Sequence, residues 1–256
     1  MTSPAAQEFW DRLRLTTQSR IGLGRAGNAL PTTRVLEFNV AHAAARDAVH
    51  IPLDVPAFAA RVAAVGIGEP AVVASQATSR GEYLRRPDLG RLPAGLESVP
   101  AGDHADIGVV LADGLSPRAL VEHGVGLLTA LVETLGTNHS IAAPVIATQA
   151  RVALGDHIGA RMGVRTLIVV IGERPGLTVA DSLGIYLTHL PRVGRTDADR
   201  NCISNIHPPE GLSYGAAARV VAGLVDGARR LGRSGVDLKD TSRADELTTR
   251  PTLTLE

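Results

Sequence analysis

Gly22-Leu-Gly24-Arg-Ala-Gly27 has the G-x-G-x-x-G spacing that lets a backbone approach the pyrophosphate of a dinucleotide. That chemistry needs a buried strand before the glycines and a helix after them. Here Arg14 to Ser19 is polar and helix-like, and Pro31 comes four residues after Gly27. The glycines are therefore expected to turn the chain between two helices. The eight histidines offer no metal set. His42 and His50 flank Asp47 on one expected helix, but eight helical residues rise about 12 Å, too far for one ion. Neither H-E-x-x-H nor a G-x-x-x-x-G-K-[ST] phosphate loop occurs, and no nucleophile elbow is expected.

The remaining chemistry is positional. Thr166 to Ile171 is the clearest buried strand, and Gly172-Glu173-Arg174-Pro-Gly176 follows it. A second strand, Gly184 to Thr188, ends near His189 and leads into a polar loop, Pro191 to Ser204, that holds Cys202 and several arginines. Ligands of open α/β sheets sit outside the carboxyl ends of the strands. A carboxylate, a thiol, hydroxyls and arginines are thus expected to converge on one edge. Two readings stand level: a binding edge for a large polar ligand or partner, and a rim of solvated loop charges.

The elements that must position these groups change character along the chain. Helices are expected over Phe9–Thr17, Thr33–Val49 and Pro56–Val65, with a short strand at Ala71–Ala74 and a polar loop from Arg80 to Arg91. Beyond about residue 100, apolar runs at Asp106–Ala112, Pro144–Thr148 and Thr166–Ile171 alternate with helical patterns. Those helices are Pro117 to Leu135, capped by Ser116, then Asp156–Arg161 and Tyr214–Leu231. The class expected is α/β: a Rossmann-like, mainly parallel sheet with flanking helices, preceded by a smaller, mostly helical N-terminal region. The boundaries read as 1–100, 101–240 and a mobile tail, 241–256.

Composition narrows the function. Hydrophobic residues are 45% of the 256 and aromatics only 3%, so the core is built of Ala, Val, Leu and Ile. Acidic and basic residues balance, 26 against 26, which provides no field for nucleic acid or an anionic membrane. A single cysteine, Cys202, makes no intramolecular disulfide or multi-cysteine zinc site and fits a reducing compartment. The first residues read as no signal peptide, and no apolar stretch approaches a membrane span.

Several stretches, in order, resemble the small (light) subunit of ethanolamine ammonia-lyase. They are Ser19–Thr32, Ala41–His50, Ser79–Arg91, Ala112–Ser116, Gly172–Leu177 and Asp199–Ile206, within a likeness running from about Phe9 to Asp240. The resemblance implies a subunit that binds adenosylcobalamin against a large catalytic subunit, in a higher-order hetero-oligomer that converts ethanolamine to acetaldehyde and ammonia by a radical route. It makes residues 101–240 the cobalamin-binding domain and places no catalytic acid or base, and no metal ligand, in this chain. The absence of any D-x-H, the start of a motif by which some cobalamin domains give cobalt a histidine, agrees. Three positions match the family's cofactor contacts: Val152, Glu173 and Cys202. A carboxylate at Glu173 would accept N–H bonds from corrin amides. The bland alternatives are a surface pair of Glu173 with Arg174 or another arginine, simple packing at Cys202, and core burial at Val152. Some members carry a longer N-terminal segment linked to packaging in a bacterial microcompartment. Only about ten residues precede the likeness here, which favours the cytoplasm. A stand-alone cobalamin carrier and a nicotinamide enzyme built on Gly22–Gly27 are the other readings.

Overall fold

The structure, a computed structural model, describes residues 4–17 and 19–240; the tail expected to be mobile, 241–256, lies outside the described residues. Three helices come first: α1 (Pro4–Arg14), α2 (Thr32–His50) and α3 (Val55–Ala63). Then follow β1 (Ala71–Ala74), α4 (Arg80–Arg85), β2 (Ile107–Ala112), α5 (Pro117–Leu135), β3 (Val145–Thr148), α6 (Leu154–Met162) and β4 (Thr166–Gly172). The chain closes with β5 (Leu183–His189), β6 (Asn201–Ile206) and α7 (Tyr214–Leu231). The six strands form one sheet in the order β1-β3-β2-β4-β5-β6. The first four in that order are parallel; β5 and β6 each run antiparallel to the preceding strand. The mixed α/β class with a mostly parallel sheet is the one expected, and the N-terminal hundred residues add one strand, β1, to it.

Strands β2 and β4 are buried along their whole length, which is why both read as unbroken apolar runs. Alternate residues feed two cores. Ile107, Val109, Leu111, Ile168 and Val170 pack under α5 and α7, together with Leu183, Ile185 and Leu187 of β5. Val110, Ala112, Leu167 and Val169 pack under α6 with Leu154 and Ile158. The helix starts follow side-chain chemistry. The Ser116 hydroxyl accepts the Ala119 N–H at 3.1 Å with Pro117 in the first turn, and the Ser213 hydroxyl caps α7 through the Ala216 N–H at 3.3 Å.

Three expectations need correction. The polar loop at Arg80–Arg91 contains a helix, α4, and a short 3-10 turn at Leu89–Arg91. The Ser79 hydroxyl accepts the Glu82 N–H at 3.2 Å, and the Glu82 carboxylate accepts the Thr78 N–H at 2.7 Å, a variant of the capping box that outweighs the polarity of the stretch. The loop Pro191–Ser204 ends in a strand, β6. Its pattern is polar because only Ile203 and Ile206 face the core while Cys202, Ser204 and Asn205 are exposed. Third, the loops after β4 and β5 do not share an edge. The Glu173–Ser182 connection holds no helix, too little chain for a parallel crossover, so β5 returns antiparallel and ends at the opposite side of the sheet from Glu173.

Candidate functional site

The glycine fingerprint is a turn, as expected. Residues 19–25 contain no strand, and Gly22, Gly24 and Gly27 all have positive φ, between 58° and 78°. A Cβ on Gly22 would run into the Trp10 ring. One G-x-S-x-G spacing does occur, at Gly211-Leu-Ser213-Tyr-Gly215, and was not expected. Its serine is spent as the cap of α7, and a cap hydroxyl held by the Ala216 N–H is no elbow nucleophile. Among the described residues, no group of His, Cys, Asp and Glu is placed to hold a metal ion, and no helix is long and apolar enough to cross a membrane.

The usual ligand crevice of such a sheet lies where neighbouring strands send their helices to opposite faces. Here that point is between β2, which leads to α5, and β3, which leads to α6. The chain itself fills it. The buried Asp113 carboxylate accepts the Gln149 and Ala150 N–H groups at 2.8 and 3.1 Å. Tyr83 of α4, fully buried, donates its hydroxyl to the Ala150 carbonyl at 3.1 Å. Arg80 lies over the Tyr83 ring and 3.6 Å from Asp113. Burial pushes the Asp113 carboxyl up, against the opposing pull of Arg80.

The open surface is elsewhere, on the outer strands. The inward residues of β5 and β6, Leu183, Ile185, Leu187, Ile203 and Ile206, all join the core under α5 and α7. Their alternates, Gly184 and Tyr186 of β5 with Cys202 and Ser204 of β6, point to the other side. There α6 packs on β2 and β4, and Cys202 and Ser204 remain exposed. Among the described residues, no helix packs over this part of the sheet.

Glu173 stands at the head of this face. Its carboxylate accepts hydrogen bonds from the hydroxyls of Ser182 and Ser204 and, at 3.3 Å, from the Asn205 N–H. Asn205 turns that N–H inward with φ of 65°, a left-handed conformation that asparagine tolerates. The carboxylate lies over Gly184, where a Cβ would come within 2.9 Å of Oε1. Its partners are hydroxyls and a backbone N–H rather than an arginine. A carboxylate offers about four acceptor positions; these three contacts leave room for one more donor.

Cys202 pairs across the ladder with Tyr186, and their side chains hydrogen-bond. Desolvation, then the cysteine beside it, pushes the Tyr186 phenol up to about 12. Desolvation and the Glu173 charge push the Cys202 thiol up, against the lowering effect of the tyrosine bond. Both groups are therefore protonated near neutral pH. Val152, half-buried just before α6, packs with Tyr186 on the α6-side core, and the two line one cleft of about 580 Å³. The three positions singled out from sequence thus meet around Tyr186. Tyr186, Gly184 and Ser182 were missed by sequence reasoning; the signal available was the alternation Gly184-x-Tyr186 after an apolar strand.

The family model described as ethanolamine ammonia-lyase light chain (EutC) matches residues 7–239. The chain belongs to this family. Similar curated light chains, each named ethanolamine ammonia-lyase small subunit, span nearly the same length. The one from Rhodococcus erythropolis is 72% identical over 97% of this chain and 96% of its own. Those from Bradyrhizobium diazoefficiens and Ralstonia nicotianae are 47% and 46% identical, over 90% and 92% of this chain and 90% of their own in each case. In light-chain terms, the crevice filled by Arg80 and Tyr83 and the helix-free face under Glu173 are features of the family member described here.

Proposed function

We propose that this chain is the small subunit of an ethanolamine ammonia-lyase, a carbon–nitrogen lyase that it forms with a large subunit, and that the face of β5 and β6 holds adenosylcobalamin at their junction. The observation that carries the reading is the Glu173 carboxylate, fixed by three donors over Gly184 on a sheet face that no helix among the described residues covers. A broad ligand rimmed with amides needs such a surface: flat, open and fitted with charged acceptors at its margin. When bound, adenosylcobalamin supplies a radical by homolysis of its cobalt–carbon bond, and ethanolamine is converted to acetaldehyde and ammonia.

The chain's own residues bind and orient. Glu173 offers its remaining acceptor position to a cofactor amide. Val152 gives apolar packing, and Cys202 with Tyr186 gives neutral hydrogen-bonding groups that hold their protons at neutral pH. None of the three acts as acid or base, so catalysis proper belongs to the large subunit. The proposed cofactor residues all fall within 101–240. The surface of α2 supports a partner: only Ala48 of its residues is buried, and Leu36, Phe38 and Val40 are exposed.

The test is ammonia release from ethanolamine with adenosylcobalamin and a large subunit of this family, with and without this chain. Activity that needs both chains is the expected result. A verified complex without turnover would overturn the substrate; tight cofactor retention by this chain alone, with no complex, would favour a carrier instead. Glu173→Ala is expected to weaken cofactor retention in the complex by about 1.5–3 kcal/mol, one charge-assisted hydrogen bond. Unchanged affinity would remove Glu173 from the site.

A further inference from the structure

The cleft that Val152 and Tyr186 share continues away from the open face, between the first turn of α6 and residues 193–200. Four arginines line it, Arg91, Arg151, Arg195 and Arg200, against two carboxylates, Asp156 and Asp197. The carboxylates are already engaged. Arg200 and Asp156, 1% and 2% exposed, form a fork with two bonds of 2.7 Å, and the Arg200 Nε lies 3.7 Å from Asp197. Arg195 reaches Asp199 at 3.4 Å and the carbonyls of His189 and Leu190. Arg91 and Arg151 have no carboxylate within ion-pair distance among the described residues. Arg151 is held over the Tyr83 ring at 4.4 Å, and its Nε is buried without a hydrogen-bond partner, as are those of Arg195 and Arg200.

Two cations without a carboxylate partner, and guanidinium N–H groups buried without a hydrogen-bond partner, therefore belong to residues that line one cleft. The first turn of α6 adds the positive end of a helix whose cap residue, Ala153, offers no side-chain acceptor. A volume of about 580 Å³ suits a ligand of nucleotide size better than a lone small ion. Arginine is the side chain that matches phosphate oxygens in geometry and charge.

We propose that this cleft is an oxyanion site that takes a phosphodiester, and that the phosphodiester is the one in the nucleotide tail of the cofactor. The inference rests on the cofactor reading given above. It adds Arg91 and Arg151 to the residues that select the ligand.

The experiment uses the complex of the full chain with its large subunit and measures equilibrium retention by cobalamin absorbance after filtration. Adenosylcobalamin is compared with adenosylcobinamide, which lacks the nucleotide tail and its phosphodiester. Arg151→Gln and Arg91→Gln are each expected to weaken adenosylcobalamin retention about tenfold or more, and to leave adenosylcobinamide unchanged. Arg91 is exposed, so its variant folds even if replacement of Arg151 disturbs Tyr83; Arg151→Lys, which keeps the charge, is expected to recover part of the loss. Equal weakening of both ligands, or of neither, overturns the assignment. Strengthened cobinamide retention on adding inorganic phosphate, with the arginine variants silent toward cobalamin, overturns the tail in favour of a free anion. If the unaltered complex retains neither corrinoid, the cofactor reading itself fails and this inference falls with it.

Discussion

A hydrogen atom at position 184 is what allows a carboxylate to lie flat on the β5–β6 face. Gly184→Ala would bring a methyl within 2.9 Å of the Glu173 Oε1, and since Gly184 is paired with Ile171 of β4, the carboxylate at the end of its flexible side chain is the group that must move. The variant is expected to weaken cofactor retention in the same direction as Glu173→Ala, and the pair of changes together to cost little more than one alone. Additive losses in the double variant would separate the two residues. The thiol offers a second probe. Because partial desolvation and the Glu173 charge raise the Cys202 thiol although its residue is exposed, this single cysteine is expected to alkylate with iodoacetamide more slowly than free cysteine at pH 8. A rate equal to free cysteine would contradict that environment. At this scale, loop position after a predicted strand pointed to Glu173 and Cys202 as a carboxylate and a thiol at a sheet edge, while Val152, and the cofactor role of all three, came only through family likeness. Nothing in their types alone distinguishes Glu173 from Arg-paired loop glutamates; its identity as an acceptor comes from Ser182, Ser204 and Asn205, which the fold brings to it.

Elements were legible where local chemistry and burial agree. Ser116-Pro117 starts α5, Tyr214 begins α7 behind Ser213, and Ala71–Ala74 is a strand, all as read from the residues. Elements were lost where one face is solvated. In β6 two isoleucines face the core while polar residues carry the other side, and α4 is polar apart from Tyr83 and Leu84. Strand direction was lost as well, although the short Glu173–Ser182 connection held the answer. The first turn of α6 is tied to the start of β6 by the buried Asp156–Arg200 fork. Removing Asp156 leaves the buried Arg200 with only the long contact to the exposed Asp197 in place of its fork, so Asp156→Ala is expected to cost about 3–5 kcal/mol in urea unfolding, whereas joint replacement by apolar residues of similar size should cost far less. A loss below about 1 kcal/mol for the single change would mean that solvent reaches the fork.

Taken whole, the molecule has one covered sheet face and one covered only in part, with helices α1 and α2 standing apart from both cores. Leu36→Glu and Val40→Glu, at positions 59% and 70% exposed, are expected to abolish assembly with the large subunit without moving the melting temperature of the isolated chain. Intact assembly in gel filtration would put the contact on another surface. Stability should also respond to mild acid. Burial lowers His123, which hydrogen-bonds Tyr214 between α5 and α7 at 2.7 Å, and lowers His189 at the end of β5, with nearby arginines adding to the effect there. Both rings are then neutral in the folded chain where the unfolded chain takes a proton. Their contribution is complete above the ordinary value of 6.5 and is lost as pH falls from there toward the depressed folded-state values. Urea midpoints at pH 7.5 and 5.5 should differ, and less so in His123→Gln; an equal difference in that variant would clear His123 of the role. The antiparallel wing has a further consequence, in amide exchange. β2 and β4 are buried on both faces, so their amides exchange only when the whole chain unfolds and report its total stability. β6 is paired on one side only and opens locally. A ligand seated on the wing and released when β6 opens raises protection in β6 by an amount set by its concentration over its dissociation constant, and raises it in the central strands by the same amount, because global unfolding releases the ligand too. One exchange experiment with and without the ligand therefore reads the same binding free energy twice, at the rim of the sheet and at its centre.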